Sequence, residues 1–315
     1  MKAAFLFPGQ GSQSVGMLAD LAGVETVVRS TFEEASSVLG YDLWDLCQNG
    51  PQARLNETER TQPALLVAGI AAWRAWRARD GAQPALMAGH SLGEISALVA
   101  AGALDFAAAV ALVQFRGRAM QEAVPIGTGA MAAIIGLADG EVEAACSAAS
   151  QGDVVVAANY NSPGQVVIAG GAPAVERAVE ACKARGARRA VPLPVSGPFH
   201  SPLMKPAAER LRERLREIEF RRPEVPVYAF DASLYGAPED IRDGLYRQLF
   251  NPVRWSSIVA EIIGSGVSHV VEAGPGRILA GLVRRAEGGR DLAVFTLDTA
   301  DALAAALAGL KGDAT

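Results

Sequence analysis

The chain of 315 residues holds only three cysteines, Cys47, Cys146 and Cys182. They are odd in number, widely spaced and at no metal or redox spacing, which argues against a disulfide framework and against a cysteine metal site. They read as reduced thiols used as small core residues. Histidine is equally scarce, so a histidine general base would be His90, His200 or His269. Aromatic residues make up 6% of the chain while Ala and Gly abound, a composition suited to close packing of helices on strands. No uninterrupted apolar run reaches about 18 residues, the length that a membrane-spanning helix needs. The amino-terminal segment passes from Lys2 straight into a strand pattern and Pro8-Gly9, without a signal-peptide cleavage pattern. The net charge of −5 argues against nucleic-acid binding by the molecule as a whole. A soluble, cytoplasmic protein with no membrane contact is expected, and no repeat or low-complexity linker interrupts it.

What is present is organised around Gly89-His90-Ser91-Leu92-Gly93-Glu94. Residues 85–88 before it read as a short buried strand, and residues 94–101 after it have a small, apolar helical pattern. Strand, Gly-x-Ser-x-Gly, helix places the serine on a tight turn, with the next N–H at a helix N-terminus. The plain alternative is a serine that caps a helix between two glycines.

Residues 3–7 read as a strand buried on both faces, followed by the Gly-rich loop Pro8-Gly9-Gln10-Gly11-Ser12-Gln13, which lacks the Lys-Ser/Thr ending of a phosphate loop. Helices are expected over 24–39, 43–47 and 61–79. Asp105 caps a helix over 106–122 whose apolar stripe includes Phe106, Ala109, Leu112, Val113 and Met120. Arg116 falls in the middle of that stripe and Arg118 on the polar face. An inward arginine needs an anionic partner, either an internal carboxylate or an acidic group of a substrate. After residues 124–129 the pattern changes to strand 130–136, helix 139–149, strands 154–159 and 165–169, helix 172–184 and strand 188–193. This β-α-β-β-α-β order is the ferredoxin-like signature. The chain therefore divides into a discontinuous large α/β domain, 1–127 and 195–315, and a small inserted domain, 128–194. Beyond it, a helix is expected through residue 219, strands over 224–230, 268–272 and 293–297, and helices over 239–250, 255–264, from 277, and over 300–310.

Of the three histidines, His269 sits in an apolar strand, where a histidine is usually a core residue. His200 lies in a Pro- and Ser-rich turn, a rigid placement that suits a general base for Ser91, with capping of the next helix as the alternative. The likeliest loop acids between Ser91 and His200, Asp105, Asp139 and Asp153, all read as helix-start or turn residues. A Ser–His dyad for acyl transfer is favoured over a triad.

The segments Phe7-Pro-Gly-Gln-Gly-Ser-Gln13, Thr61-Gln-Pro-Ala64, Gly89-His-Ser-Leu-Gly-Glu94, Arg116-Gly-Arg118, Asn161-Ser-Pro-Gly-Gln165, Pro198-Phe-His-Ser201, Gln248-Leu-Phe-Asn-Pro252 and Glu272-Ala-Gly-Pro-Gly276 resemble, in register over nearly the whole chain, the malonyl-CoA:acyl-carrier-protein transacylases of fatty acid synthesis. The resemblance implies a hydrolase-like large domain with a parallel-sheet core and a ferredoxin-like small domain, with the acyl site in the cleft between them. It implies Ser91 as the acylated nucleophile, His200 as its base, and the N–H groups of Gln10 and Leu92 as the oxyanion hole. Arg116 would hold the malonyl carboxylate, and the main-chain carbonyl of Gln248 would orient His200. Phe199 resembles the aromatic residue of malonyl-selective members, where it crowds an α-methyl branch. Tyr228-Ala-Phe-Asp231 departs from the small polar residue expected there. No metal or cofactor is implied beyond the substrates malonyl-CoA and holo-acyl carrier protein, and a monomer is expected. Carrier proteins are acidic, so a basic patch is expected, at 183–189 or 210–222. The rival readings are a serine esterase or thioesterase, a stand-alone acyltransferase serving polyketide synthesis, and a non-catalytic scaffold that binds a carrier protein.

Overall fold

The computed structural model describes residues 2–125, 127–286 and 291–311; Ile126, in the expected linker, lies outside them. Nine strands are described: β1 (Ala3–Phe7), β2 (Leu86–Gly89), β3 (Gly129–Ile135), β4 (Val155–Ser162), β5 (Gln165–Gly171), β6 (Arg189–Pro192), β7 (Val227–Tyr228), β8 (His269–Glu272) and β9 (Ala293–Thr296). They form two sheets. The first, in the order β7-β2-β1-β8-β9, is parallel throughout. Every residue of β1 and β2 is buried, as expected for parallel strands covered on both faces. The second sheet, β4-β5-β3-β6, is antiparallel. This is the ferredoxin-like order, and the helices Asp139–Ser150 and Ala172–Ala184 pack against it. Val142, Cys146, Val175 and Cys182 of those helices meet Ile134, Val166 and Ile168 of the strands in a core separate from the larger one.

The α/β architecture expected from the sequence is therefore the one observed, with local differences. The helix expected over 24–39 starts at Thr26, because Glu25 is extended at φ −118°, ψ 99°, and a further short helix, Ala19–Val24, precedes it. A short helix, Gln52–Leu55, escapes the pattern because four residues carry too little periodicity. The strand expected over 224–230 pairs only at Val227 and Tyr228. It is an edge strand, and the chain turns back just after it, with Ala232 at φ 68°. The helix expected to run through 219 ends at Arg216 and is preceded by a 3-10 turn, Pro202–Met204.

Two contacts join the sheets where the site lies. Tyr160 N–H donates to the Val253 carbonyl and Val253 N–H to the Ala158 carbonyl, both at 2.9 Å, so β4 adds a parallel bridge to the segment that leads into the helix Trp255–Gly264. At the other end, a Cβ added at Gly129 would come within 2.3 Å of Pro198, so the first strand of the small sheet touches the turn that carries His200.

Candidate active site

Ser91 links β2 to the helix Leu92–Ala100 at φ 53°, ψ −105°, a conformation that costs a residue with a side chain about 1–3 kcal/mol. Glycines on both sides hold it there. A Cβ at Gly93 would lie 1.9 Å from the Phe7 carbonyl oxygen, and one at Gly89 would lie 1.9 Å from the Gly93 carbonyl carbon. Only glycine allows the helix to sit this close to the strands. Ser91 makes no capping hydrogen bond. Its Oγ lies 2.8 Å from His200 Nε2, which removes the capping alternative for both residues.

His200 Nδ1 lies 2.8 Å from the main-chain oxygen of Gln248. A carbonyl oxygen can only accept, so Nδ1 carries the proton and Nε2 is left to accept from the Ser91 hydroxyl. Burial, and after it the nearby Arg116 charge, pushes the His200 pKa down to about 3. The ring is neutral near pH 7, with its lone pair aimed at the serine. Among the described residues no acid completes a triad. Asp105 accepts from Ala108 N–H at the start of the helix Phe106–Gln121, Asp139 sits in the first turn of its own helix, and Asp153 accepts from Val154 N–H.

Arg116 points inward, as its spacing requires, and is 1% exposed, whereas Arg118 is exposed and meets Glu59. Arg116 Nη1 donates to Gln62 Oε1 at 2.8 Å, and Nη2 to Gln248 Oε1 at 2.7 Å and to Ser91 Oγ at 3.2 Å. Among the described residues it has no carboxylate partner, so the internal ion pair left open by the sequence is not formed. Burial lowers its pKa to about 10, against the opposing pull of Glu94, and it stays charged. The guanidinium is thus a buried cation, held by neutral oxygens, beside the candidate nucleophile.

The remaining expected residues surround it. Gln10, Leu92, Phe199 and His200 line, with Ser91 and Arg116, a cavity of about 100 Å³ walled by Met120, Met131, Leu193 and Val195. Neither the Gln10 nor the Leu92 N–H has an acceptor among the described residues, and Leu92 is the first residue of its helix, where N–H groups lack intrahelical partners. A Cβ at Gly9 would meet the His90 carbonyl oxygen at 2.4 Å, so this glycine is what brings the Gln10 loop against the serine turn. On the other side of His200 lies a groove of about 600 Å³ between the small sheet with its helix Asp139–Ser150 and the segments that carry His200 and Phe250, and Tyr160 lines it too. His90 stays outside the dyad, with Nε2 on Asn161 Oδ1 at 2.9 Å and its ring against Trp255. His269 pairs with Ser268 and stacks on Phe295, away from the site.

Three functional-site residues escape sequence reasoning. Gln62 and Asn159 are buried polar residues: Asn159 interrupts a mostly apolar strand, whereas Gln62 follows the polar run Thr58-Glu59-Arg60-Thr61 and is signalled only by its place in the segment Thr61-Gln-Pro-Ala64. Glu94, the last residue of the serine motif, is fully buried and accepts from Tyr235 OH at 2.5 Å. Burial pushes its pKa up to about 7, although Tyr235, Gln248 and Arg116 all favour the carboxylate. Glu272 of the Gly-Pro-Gly motif has a structural role, accepting from the N–H groups of Leu279 and Ala280 at the start of the helix Ile278–Val283.

A sequence profile of the acyl transferase domain family matches residues 4–310. The chain is 56% identical over 305 residues to a malonyl CoA-acyl carrier protein transacylase of Escherichia coli strain K12, covering 96% of this chain and 98% of that one. It superposes with a TM-score of 0.94 and 54% identity on the crystal structure of an acyl carrier protein S-malonyltransferase from Vibrio cholerae, over 97% of this chain and 99% of that one. A structure of a malonyl-transacylase in complex with its type II PKS acyl-carrier protein gives a TM-score of 0.96 at 53% identity, over 98% of this chain and all of that one.

Proposed function

The chain belongs to the acyl transferase domain family, among its malonyl-CoA:acyl-carrier-protein transacylases, and from that membership we propose that it moves a malonyl group from malonyl-CoA to the phosphopantetheine thiol of an acyl carrier protein through a malonyl-Ser91 ester. The observation that carries the reading is the buried Arg116 cation, without a carboxylate of its own and 3.2 Å from Ser91 Oγ. An esterase acting on neutral substrates has no use for such a charge, whereas a malonyl carboxylate supplies its missing partner.

In the first half-reaction His200 Nε2 takes the Ser91 proton as Oγ attacks the thioester carbon. The oxyanion forms against the Gln10 and Leu92 N–H groups. The C–S bond breaks, and the proton on Nε2 passes to the departing CoA thiolate. In the second, Nε2 takes the proton of the carrier's thiol, the sulfur attacks the malonyl ester, and the proton returns to Ser91 Oγ. Gln248 acts twice, its main-chain oxygen holding His200 and its side chain holding Arg116. Phe199 narrows the cavity against a branched acyl chain. The groove past Tyr160 and Phe250 suits the pantetheine arm, and a tight acyl cavity keeps water from the ester. The chemistry calls on no metal or cofactor beyond the two substrates. Residues 128–194 form the small domain, 1–127 and 195–315 the large one. Every group named lies in one chain, so a cytoplasmic monomer suffices. The relative solved with a type II PKS carrier supports a polyketide carrier as the second reading.

Intact-protein mass after mixing with malonyl-CoA tests the reading. Wild type should gain one malonyl group and lose it to holo-carrier protein. Ser91→Ala should gain none, and Arg116→Ala should be labelled at least about 100-fold more slowly, as befits loss of a charged hydrogen bond in a buried site. Free malonate without transfer would identify a thioesterase instead. Comparison of fatty acid and polyketide carriers as acceptors decides between the two carrier readings.

A further inference from the structure

Besides the Nε–H of Arg116, the acyl cavity is lined by one side-chain donor that has no hydrogen-bond partner among the described residues and no part in the mechanism above. Asn159, on β4, is 6% exposed, lines the same cavity as Ser91 and Arg116, and its Nδ2 is fully buried without a hydrogen-bond partner. Leaving an amide donor unpaired and dry costs about 1–3 kcal/mol, so such groups call for an explanation. Its placement is also built. The register of β4 against β5 shifts between Ala157 and Asn159, and a bulge of this kind re-aims a side chain. The main-chain bonds of Ala158 and Tyr160 to Val253 then clamp the strand on either side of Asn159, against the segment after Gln248.

An inventory of donors shows which acceptor is missing. The Gln10 and Leu92 N–H groups are assigned above to the oxygen of the thioester. Arg116 has both Nη2 hydrogens engaged, on Gln248 and Ser91, and one Nη1 hydrogen engaged on Gln62, which leaves its second Nη1 hydrogen and its buried, unpartnered Nε–H. A carboxylate that enters a dry cavity brings two oxygens with about four lone-pair sites, more than this partly committed guanidinium can satisfy. We propose that Asn159 is a second donor to the malonyl carboxylate, contributed by the small domain, so that the acyl group's acid end is held between the two domains. The proposal rests on the malonyl-transfer reading above and adds to it a residue that discriminates for the carboxylate.

The test is single-turnover acylation of Ser91 by malonyl-CoA and by acetyl-CoA, followed by intact mass on wild type, Asn159→Ala and Asn159→Asp. Loss of one hydrogen bond to a charged group predicts about a 10- to 100-fold slower reaction of Asn159→Ala with malonyl-CoA. Acetyl-CoA has no carboxylate, and its slower acylation should be unchanged within about twofold. Asn159→Asp places a carboxylate against a carboxylate, and its malonyl rate should fall further while its acetyl rate holds. The acetyl reaction also reports whether each variant is folded. A parallel loss of both rates assigns Asn159 to the thioester or to the scaffold and overturns the proposal, as does no loss of either. If wild type itself takes no malonyl group, the underlying reading fails instead, a result distinguishable from both.

Discussion

Ser91, His200 and Arg116 form a site whose charges are few and individually decisive. His200 is kept neutral first by burial and second by the Arg116 charge. Removing that charge should let the His200 pKa rise toward its ordinary value. In Arg116→Ala, the rate at which a sulfonyl fluoride inactivates Ser91 should therefore begin to fall at a higher pH than in wild type, as acid protonates Nε2. A limb at the same or lower pH would show that burial alone sets the base strength. The sequence made the identity of these three residues legible, each for its own reason: the flanking glycines for Ser91, the rigid turn for His200 and the apolar stripe for Arg116. It left the arginine's partners open. Gln62 and Gln248 lie 54 and 132 positions from it, and no local pattern connects side chains that only the tertiary fold brings together.

At the scale of elements, the serine turn depends on backbone approaches that no side chain can share. Gly93→Ala would force a Cβ to 1.9 Å from the Phe7 carbonyl and should destabilise the protein by more than about 3 kcal/mol in chemical denaturation. Gly140, in the helix Asp139–Ser150, has nothing within 4 Å of an added methyl group and no positive φ, so Gly140→Ala should stabilise by about 0.4–1 kcal/mol. Equal effects at the two positions would mean that the tight packing at the serine turn relaxes freely. The parallel strands were readable as unbroken apolar runs, and the small sheet from its alternating element order. Where the pattern misleads, tertiary context decides: β7 is cut short by a turn at the sheet edge, and Glu25 breaks an otherwise continuous helical pattern.

At the scale of the molecule, the two basic stretches differ in how many exposed arginines stand without an ion-pair partner among the described residues: Arg188 and Arg189 in the first, Arg222 alone in the second. Arg210, Arg212, Arg214 and Arg216 each pair with a glutamate, as do Lys183 and Arg185. Arg188 and Arg189 are exposed and make no ion pair among the described residues. They stand at the start of β6, and Leu193, about 13 Å further along an extended chain, lines the acyl cavity. Reversing both charges should raise the KM for an acidic carrier protein about tenfold, more at low salt than at high, while acylation by malonyl-CoA stays unchanged. An unaltered carrier KM would place docking elsewhere. The small sheet with its two helices was legible as a unit because it carries its own alternation of strand and helix. Its contact with the large domain was not, because the bonds at Val253 are made by main-chain atoms that any residue supplies. The near-touching of Gly129 and Pro198 brings the chain's entry into the small sheet close to its exit, the geometry expected of a segment, residues 128–194, that can be exchanged as a cassette. Grafted between relatives, it would replace Met131, Asn159 and Leu193 as a set and leave the serine, histidine and arginine in place, so that acyl preference could be inherited separately from chemistry.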